Sequence, residues 1–138
     1  MVPEIVSIKR EAQPIRLCFG KATIHLLIYE HRIYIPVHEG LRLIGIESDW
    51  LNFDNQSRRG RLLKRQKFSF ERILLCYQIS NNGQYVFVES IPYKDWLIVL
   101  AYFASKENTR ALSILKWLAQ FGVQQHIESS FDIETLVE

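Results

Sequence analysis

The sequence predicts an α+β fold: one small domain of two antiparallel β-hairpins, short helices between them and a helical pair near its C-terminal end. Three observations lead there. The stretches ATIHLLIY to IYIPV and ILLCYQIS to QYVFVESI are rich in β-branched and aromatic residues, and each is broken by a short turn. The last third of the chain carries apolar residues at helical spacing. Strands so close together in sequence pair with each other, which makes the sheet antiparallel.

The elements follow in order. Residues 1–14 hold Pro3 and Pro14 among mixed charges and read as a peripheral arm or an added strand; the arm is set at 1–16. From Ala22 the pattern is strand-like, and ATIHLLIY, a turn at EHR and IYIPV make the first hairpin. In VHEGLRLIG, Leu41 and Ile44 stand three apart with Gly45 behind them, a short helix with a glycine stop. Ser48 is a candidate N-cap for a second helix beginning DWLNF. After the segment QSRRGRLLKRQK, KFSFERILLCYQIS and QYVFVESI form the second hairpin around Asn81, Asn82 and Gly83. Pro92 opens the next helix at its first position, with YKDWLIVLAYFA behind it. A turn around Lys106 to Asn108 leads to a last helix over about 109–127, whose Ala111, Ile114, Leu115, Leu118 and Phe121 keep one apolar face. From Glu128 onward there are acids and no base, and residues 132–138 form an acidic tail.

Composition narrows the function. With 138 residues, 48% of them hydrophobic, the chain suits one globular domain that buries about 68% of its unfolded surface. The longest apolar run, WLIVLAYFA, falls short of the ~20 residues that span a bilayer. The N-terminus shows no basic-then-apolar leader pattern. Cys18 and Cys76 lie far apart in apolar company and read as reduced core thiols, which points to the cytoplasm.

Charge is where the chain departs from the ordinary. The net charge is only +2, yet residues 56–67 hold Arg58, Arg59, Arg61, Lys64, Arg65 and Lys67 and no carboxylate. The other eleven Lys/Arg face all fifteen Asp/Glu, so the remainder carries about −4. Segregated positive charge suits a polyanion or an acidic partner surface. As a helix, the segment sets Leu62 and Leu63 on an anchoring face and its cations outward, with Gly60 on the outward side where a phosphate approaches the backbone. As a loop it lines a groove instead. A solvated helix face is the plain alternative, set against the mutual repulsion of six like charges. Arginine outnumbers lysine four to two, and its planar fork suits phosphate oxygens and guanine edges. Gln56 is a candidate reader of adenine edges, with surface amide or helix cap as its other roles. Trp50, Phe53, Phe68 and Phe70 flank the segment, as core anchors or as platforms for unpaired bases.

The order of motifs resembles the N-terminal domain of lambdoid-phage antirepressor proteins, a family related to the BRO N-terminal domain of large DNA viruses and of many phage and prophage regulators. FGKATIHLLIYEHRIYIPV is similar to the family's Phe-x-Gly start, strand, turn and Tyr-Val-Pro-like strand end. LRLIGI matches its Leu-Gly-Ile after a short helix, and Gln56 with the following Arg pair and Leu pair matches its Gln and basic segment. SIPYKDWLIVL looks like its strand end, Pro and Trp-Leu helix, and ENTRALSILKWLAQFGVQQHIESSF stands where the family has a long helix opening with Arg. The likeness covers about residues 17–131, which sets the domain. ESDWLNFDN, between Ile46 and Gln56, is several residues longer than the family pattern.

The resemblance implies a non-enzymatic, transcription-regulatory module that binds DNA through residues 56–67. The alternative is an antirepressor that inactivates a repressor by direct contact and touches no nucleic acid. A homodimer would suit paired half-sites, although no residue marks a seam. No cofactor or metal is expected: His25, His31, His38 and His126 have no ligand spacing, and no Gly-rich phosphate loop or Gly-x-Ser-x-Gly elbow occurs. Glu47, Asp49, Asp54 and Glu71 match no metal-binding nuclease spacing.

Overall fold

A computed structural model of the chain describes residues 9–79 and 83–120. Over these residues the architecture is α+β, with five antiparallel strands and four α-helices. Strand β1 (Gln13–Phe19) turns at Gly20 and Lys21 into β2 (Ala22–Tyr29), and Glu30 and His31 connect β2 to β3 (Arg32–Pro36). Both connecting residues adopt left-handed backbone, at φ 51° and 64°, as a two-residue hairpin turn requires. The arm limit at residue 16 thus falls inside β1. Its Ile15, Leu17 and Phe19 turn inward while Pro14, Arg16 and Cys18 face out, the period-two pattern of a half-buried strand.

Helix α1 (Val37–Arg42) follows β3 directly, and Gly45 closes the turn behind it at φ 78°. The indole nitrogen of Trp96 ties it down by donating to the Gly40 carbonyl at 3.1 Å. The expected helix at DWLNF is a single 3-10 turn, Ser48–Leu51; Glu47 is its N-cap and Ser48 lies inside it. Helix α2 (Arg58–Arg65) comes next, then β4 (Ile73–Gln78) and β5 (Tyr85–Pro92). Asn81 and Asn82 of the proposed turn lie outside the described residues, and Gly83 beside them has φ 85°. Pro92 ends β5 and caps α3 (Tyr93–Ser105), one position earlier than its expected place within the helix. Helix α4 (Thr109–Gln120) packs on α3; the expected continuation to 127, with Phe121, and the acidic tail lie outside the described residues.

The two hairpins join into one sheet in the order β1-β2-β3-β5-β4, because β3 pairs antiparallel with β5 through Tyr34 and Pro92, Ile35 and Ile91, and Pro36 and Ser90. The lead into β1 also reaches the opposite edge. Ala12 donates its N–H to the Cys76 carbonyl at 2.8 Å, and the Cys76 N–H donates to Arg10 at 3.0 Å, so the sheet curls toward closure. Alternation along the strands builds two cores. Ala12, Leu27, Tyr34, Leu75 and Tyr77 meet on one face. On the other, Ile24, Leu26, Ile35 and Ile91 pack under Leu41, Trp96, Val99, Leu100 and Ile114 of the helices.

The cysteines divide between these environments. Cys76 is fully buried, and burial pushes its thiol pKa up; Cys18, on the outward side of β1, is exposed. Only one of the two is therefore the expected core thiol. A thiol reagent at neutral pH is expected to label one equivalent, Cys18, within minutes, and Cys76 only in denaturant. Two fast equivalents in the native protein would contradict the burial of Cys76.

A candidate nucleic-acid interface on the basic helix

The segment read as cationic is helical where it matters. Ser57 caps α2: its Oγ accepts from the Gly60 N–H at 3.0 Å and donates to the Asp54 carbonyl at 2.6 Å. The helix ends in a Schellman arrangement, with Phe68 N–H on the Leu63 carbonyl at 3.2 Å and Lys67 N–H on the Lys64 carbonyl at 2.9 Å. Lys67 takes the left-handed position at φ 72°, where glycine is usual, and Phe68 and Leu63 meet in the core below. Both ends of this eight-residue helix are thus fixed by local bonds, and Leu63 in the core adds the tertiary packing without which so short a helix is marginal in water.

Leu63 is the buried anchor, at 1% exposure, while Leu62 is 37% exposed and only edges a groove beside Leu97, Ile98 and Ala101 of α3. The two leucines do not share the anchoring role expected of them. Gly60 corrects the sequence reading more sharply. It is buried, and a Cβ there would lie 2.4 Å from the Asp54 carbonyl oxygen and 2.7 Å from Asn55 Cα. The inward face of α2 is therefore Gly60 and Leu63, three residues apart, and no phosphate reaches the backbone at Gly60.

The six cations are all exposed, but not all free to move. Arg58, Lys64, Arg65 and Lys67 make no ion pair with any described residue. Arg61 folds back, its Nη1 donating to the Gln56 carbonyl at 2.7 Å. Arg59 lies with its Cζ 4.6 Å from the Trp50 ring centre and 5.4 Å from that of Phe53, and its Nη1 donates to the Trp50 carbonyl at 3.2 Å. Gln56 precedes the cap; its N–H donates to Asp54 Oδ1 at 2.9 Å and the residue is exposed at the N-terminal end of α2.

The flanking aromatics form the floor. Trp50 packs on Phe103 at 4.7 Å, Tyr102 at 5.4 Å and Phe53 at 5.7 Å between ring centres, and Phe53, Phe70 and Phe68 continue edge to face. The 3-10 turn carries Trp50 into this cluster.

One residue essential to the geometry went unseen in the sequence. Asp95, in the first turn of α3 and fully buried, accepts from Ser69 N–H at 3.1 Å and Ser69 Oγ–H at 2.5 Å. It pins the exit of α2, where Lys67 and Phe70 both hold positive φ. This exit is also why residues 66–72 are not part of β4. Ser57 had a readable signal, a serine directly before the basic run; Asp95 had none, since its partner lies 26 residues away.

Two of the four acids considered for metal binding, Asp54 and Glu71, hold structural positions. Asp54 closes the turn before α2, and Glu71 pairs with Arg32 at 3.0 Å while accepting from the Tyr34 hydroxyl at 3.2 Å. His25 pairs with Glu39 at 2.9 Å and stacks on Tyr77; His126 lies outside the described residues. Among the described residues no three His, Cys, Asp or Glu stand close enough to hold a metal, and no helix is long and apolar enough to cross a membrane. Comparison with protein-family models, with curated proteins and with solved structures finds no match.

Proposed function

We propose that the protein is a non-enzymatic transcription-regulatory module, of the phage or prophage antirepressor type its sequence resembles, and that it binds DNA through α2. One observation carries this reading: Arg58, Lys64 and Arg65 stand exposed on a helix capped at both ends, and Lys67 just beyond it, with no carboxylate pairing them among the described residues. Arg61 adds its charge from a fixed position, and Gln56 stands at the end of the helix from which base edges are read. A helix that merely stayed soluble would gain from interspersed acids; this one has none.

Counterion release gives the scale. Six neutralised phosphates yield a slope of log K against log salt near −5, so affinity for a duplex falls about a thousandfold between roughly 50 and 200 mM salt. The test is fluorescence anisotropy on a random 30-base-pair duplex, with a variant carrying Arg58→Ala, Arg61→Ala, Lys64→Ala and Arg65→Ala. The variant is expected to lose most low-salt binding and to flatten the slope by about 3 to 4. A folded protein that binds no duplex at low salt would overturn the DNA reading.

A second reading has its own observation. Leu74, Phe87 and Ile79 on the β4–β5 hairpin are 53–55% exposed, large apolar side chains open to solvent. An antirepressor that grips a repressor directly would use this surface, and its binding would persist in salt that strips α2 from DNA.

A further inference from the structure

Beside α2 lies an open cleft of about 580 Å³ that no local sequence signal announces. It is walled by Arg58, Arg59 and Leu62 of α2, by Phe53 before it, and by Tyr102 and Lys106 at the end of α3. Lys106 and Arg58 are 48 residues apart in sequence, and only packing brings them to one opening. The lining holds three cations and no carboxylate, whereas the neighbouring cavity of about 560 Å³ carries Asp54 and Glu71 beside Arg72. The two hollows differ in charge although Phe53 lines both.

The walls combine two chemistries. The cations Arg58 and Lys106 suit a phosphate. Aromatic groups that suit a base line the same opening, Phe53 and Tyr102, and the Arg59 Cζ lies 4.6 Å from the Trp50 ring centre and 5.4 Å from that of Phe53, with its Nη1 bonded to the Trp50 carbonyl. A guanidinium held by two rings and a carbonyl, and lining the cleft, offers a base a stacking partner whose position is settled in advance. In a duplex, base faces are covered by their neighbours and cannot use such a platform; an unpaired base can. The volume falls within the range of small-ligand sites, enough for one nucleotide.

We infer that the cleft between α2 and the end of α3 holds one unpaired nucleotide of DNA, its phosphate between Arg58 and Lys106 and its base against Arg59 and Tyr102. This rests on the DNA-binding reading of α2 and extends it: the outward face of the helix serves the backbone of any DNA, and the cleft selects a strand that is single or locally opened.

The test compares a labelled 15-nucleotide thymidine strand with the 30-base-pair duplex, using the whole protein and a Lys106→Ala variant. Lys106 is exposed and follows the last turn of α3, so the variant is expected to melt as the wild type does. Its affinity for the single strand should fall roughly 3- to 10-fold, with the salt slope reduced by about 0.7, while duplex affinity changes less than about twofold. In parallel, a strand carrying 5-bromodeoxyuridine is irradiated on the wild-type protein, and the crosslink is expected at Tyr102 or Phe53. Duplex and single-strand binding untouched by Lys106→Ala, or crosslinks confined to other residues, would overturn the cleft and leave α2 standing. Equal losses on both DNAs would overturn it too, since they would make Lys106 one more backbone contact. A wild-type protein that binds neither DNA overturns both readings together.

Discussion

Gly60→Ala lowers stability by about 2–3 kcal/mol, although alanine favours a helix interior by about 1 kcal/mol over glycine. Packing decides the sign. The new methyl would enter the space of the Asp54 carbonyl oxygen and of Asn55 Cα, both backbone atoms with no rotamer to escape into. Forced overpacking costs about 1–3 kcal/mol. The displaced carbonyl is also the acceptor of the Ser57 N–H, at 3.0 Å, and of its hydroxyl, at 2.6 Å, so moving it strains the N-cap, worth about another 1 kcal/mol. Urea unfolding is expected to show a midpoint about 1–2 M lower for a slope of the usual size. A midpoint equal to or above that of the wild type would mean that the turn at residues 54–57 yields freely, and the close approach of α2 to it would lose its importance.

Asp95→Ala is expected to cost about 2–3 kcal/mol. Hydrogen bonds to a charged acceptor contribute about 1.5–3 kcal/mol, and Asp95 receives two from Ser69. Ser69 is itself exposed, so water replaces part of what is lost and keeps the total below the sum of two such bonds. The remainder comes from backbone that the carboxylate holds in place. Lys67 and Phe70 sit at φ 72° and 62°, a conformation that costs residues other than glycine roughly 1–2 kcal/mol each. Asp95→Asn keeps the shape and one oxygen acceptor and should lose less than half as much. A double-mutant cycle with Ser69→Ala isolates the side-chain bond, with an expected coupling of about 1–2 kcal/mol. Strict additivity would show that the Ser69 hydroxyl contributes nothing and that Asp95 acts through the Ser69 N–H alone. Because this pin fixes the end of α2, Asp95→Ala should also weaken duplex binding without altering the salt slope, a separation that loss of a cation cannot produce.

Both effects fall on residues whose partners the sequence could not name. Gly60 looks outward on a helical wheel drawn around Leu62 and Leu63, because a wheel knows nothing of the strand of backbone that passes behind it. The exposed Leu62 misled that wheel; the true inward pair is Gly60 and Leu63. Arg59 reads as one of six equivalent cations, yet Trp50 claims it. Ser57 before the basic run and the period-two pattern of residues 14–19 are, in contrast, signals that lie within a few neighbouring residues, although the expected elements named neither that cap nor a strand over 14–19.

The sequence by itself determined the α+β class, both hairpins, the short helix before Gly45, the C-terminal helical pair and the segregation of six cations into one segment. Each of these is written in a short window, through side-chain periodicity, turn residues and local charge. Only the tertiary structure decided that β3 and β5 fuse the hairpins, that Ala12 reaches across to Cys76, that Asp95 holds Ser69, and that Lys106 meets Arg58 across a cleft. Those pairings join residues 26 to 64 positions apart, and their free energy comes from burying two shared cores rather than from any local preference. That is the level at which a cationic stretch of sequence becomes a surface with a defined shape.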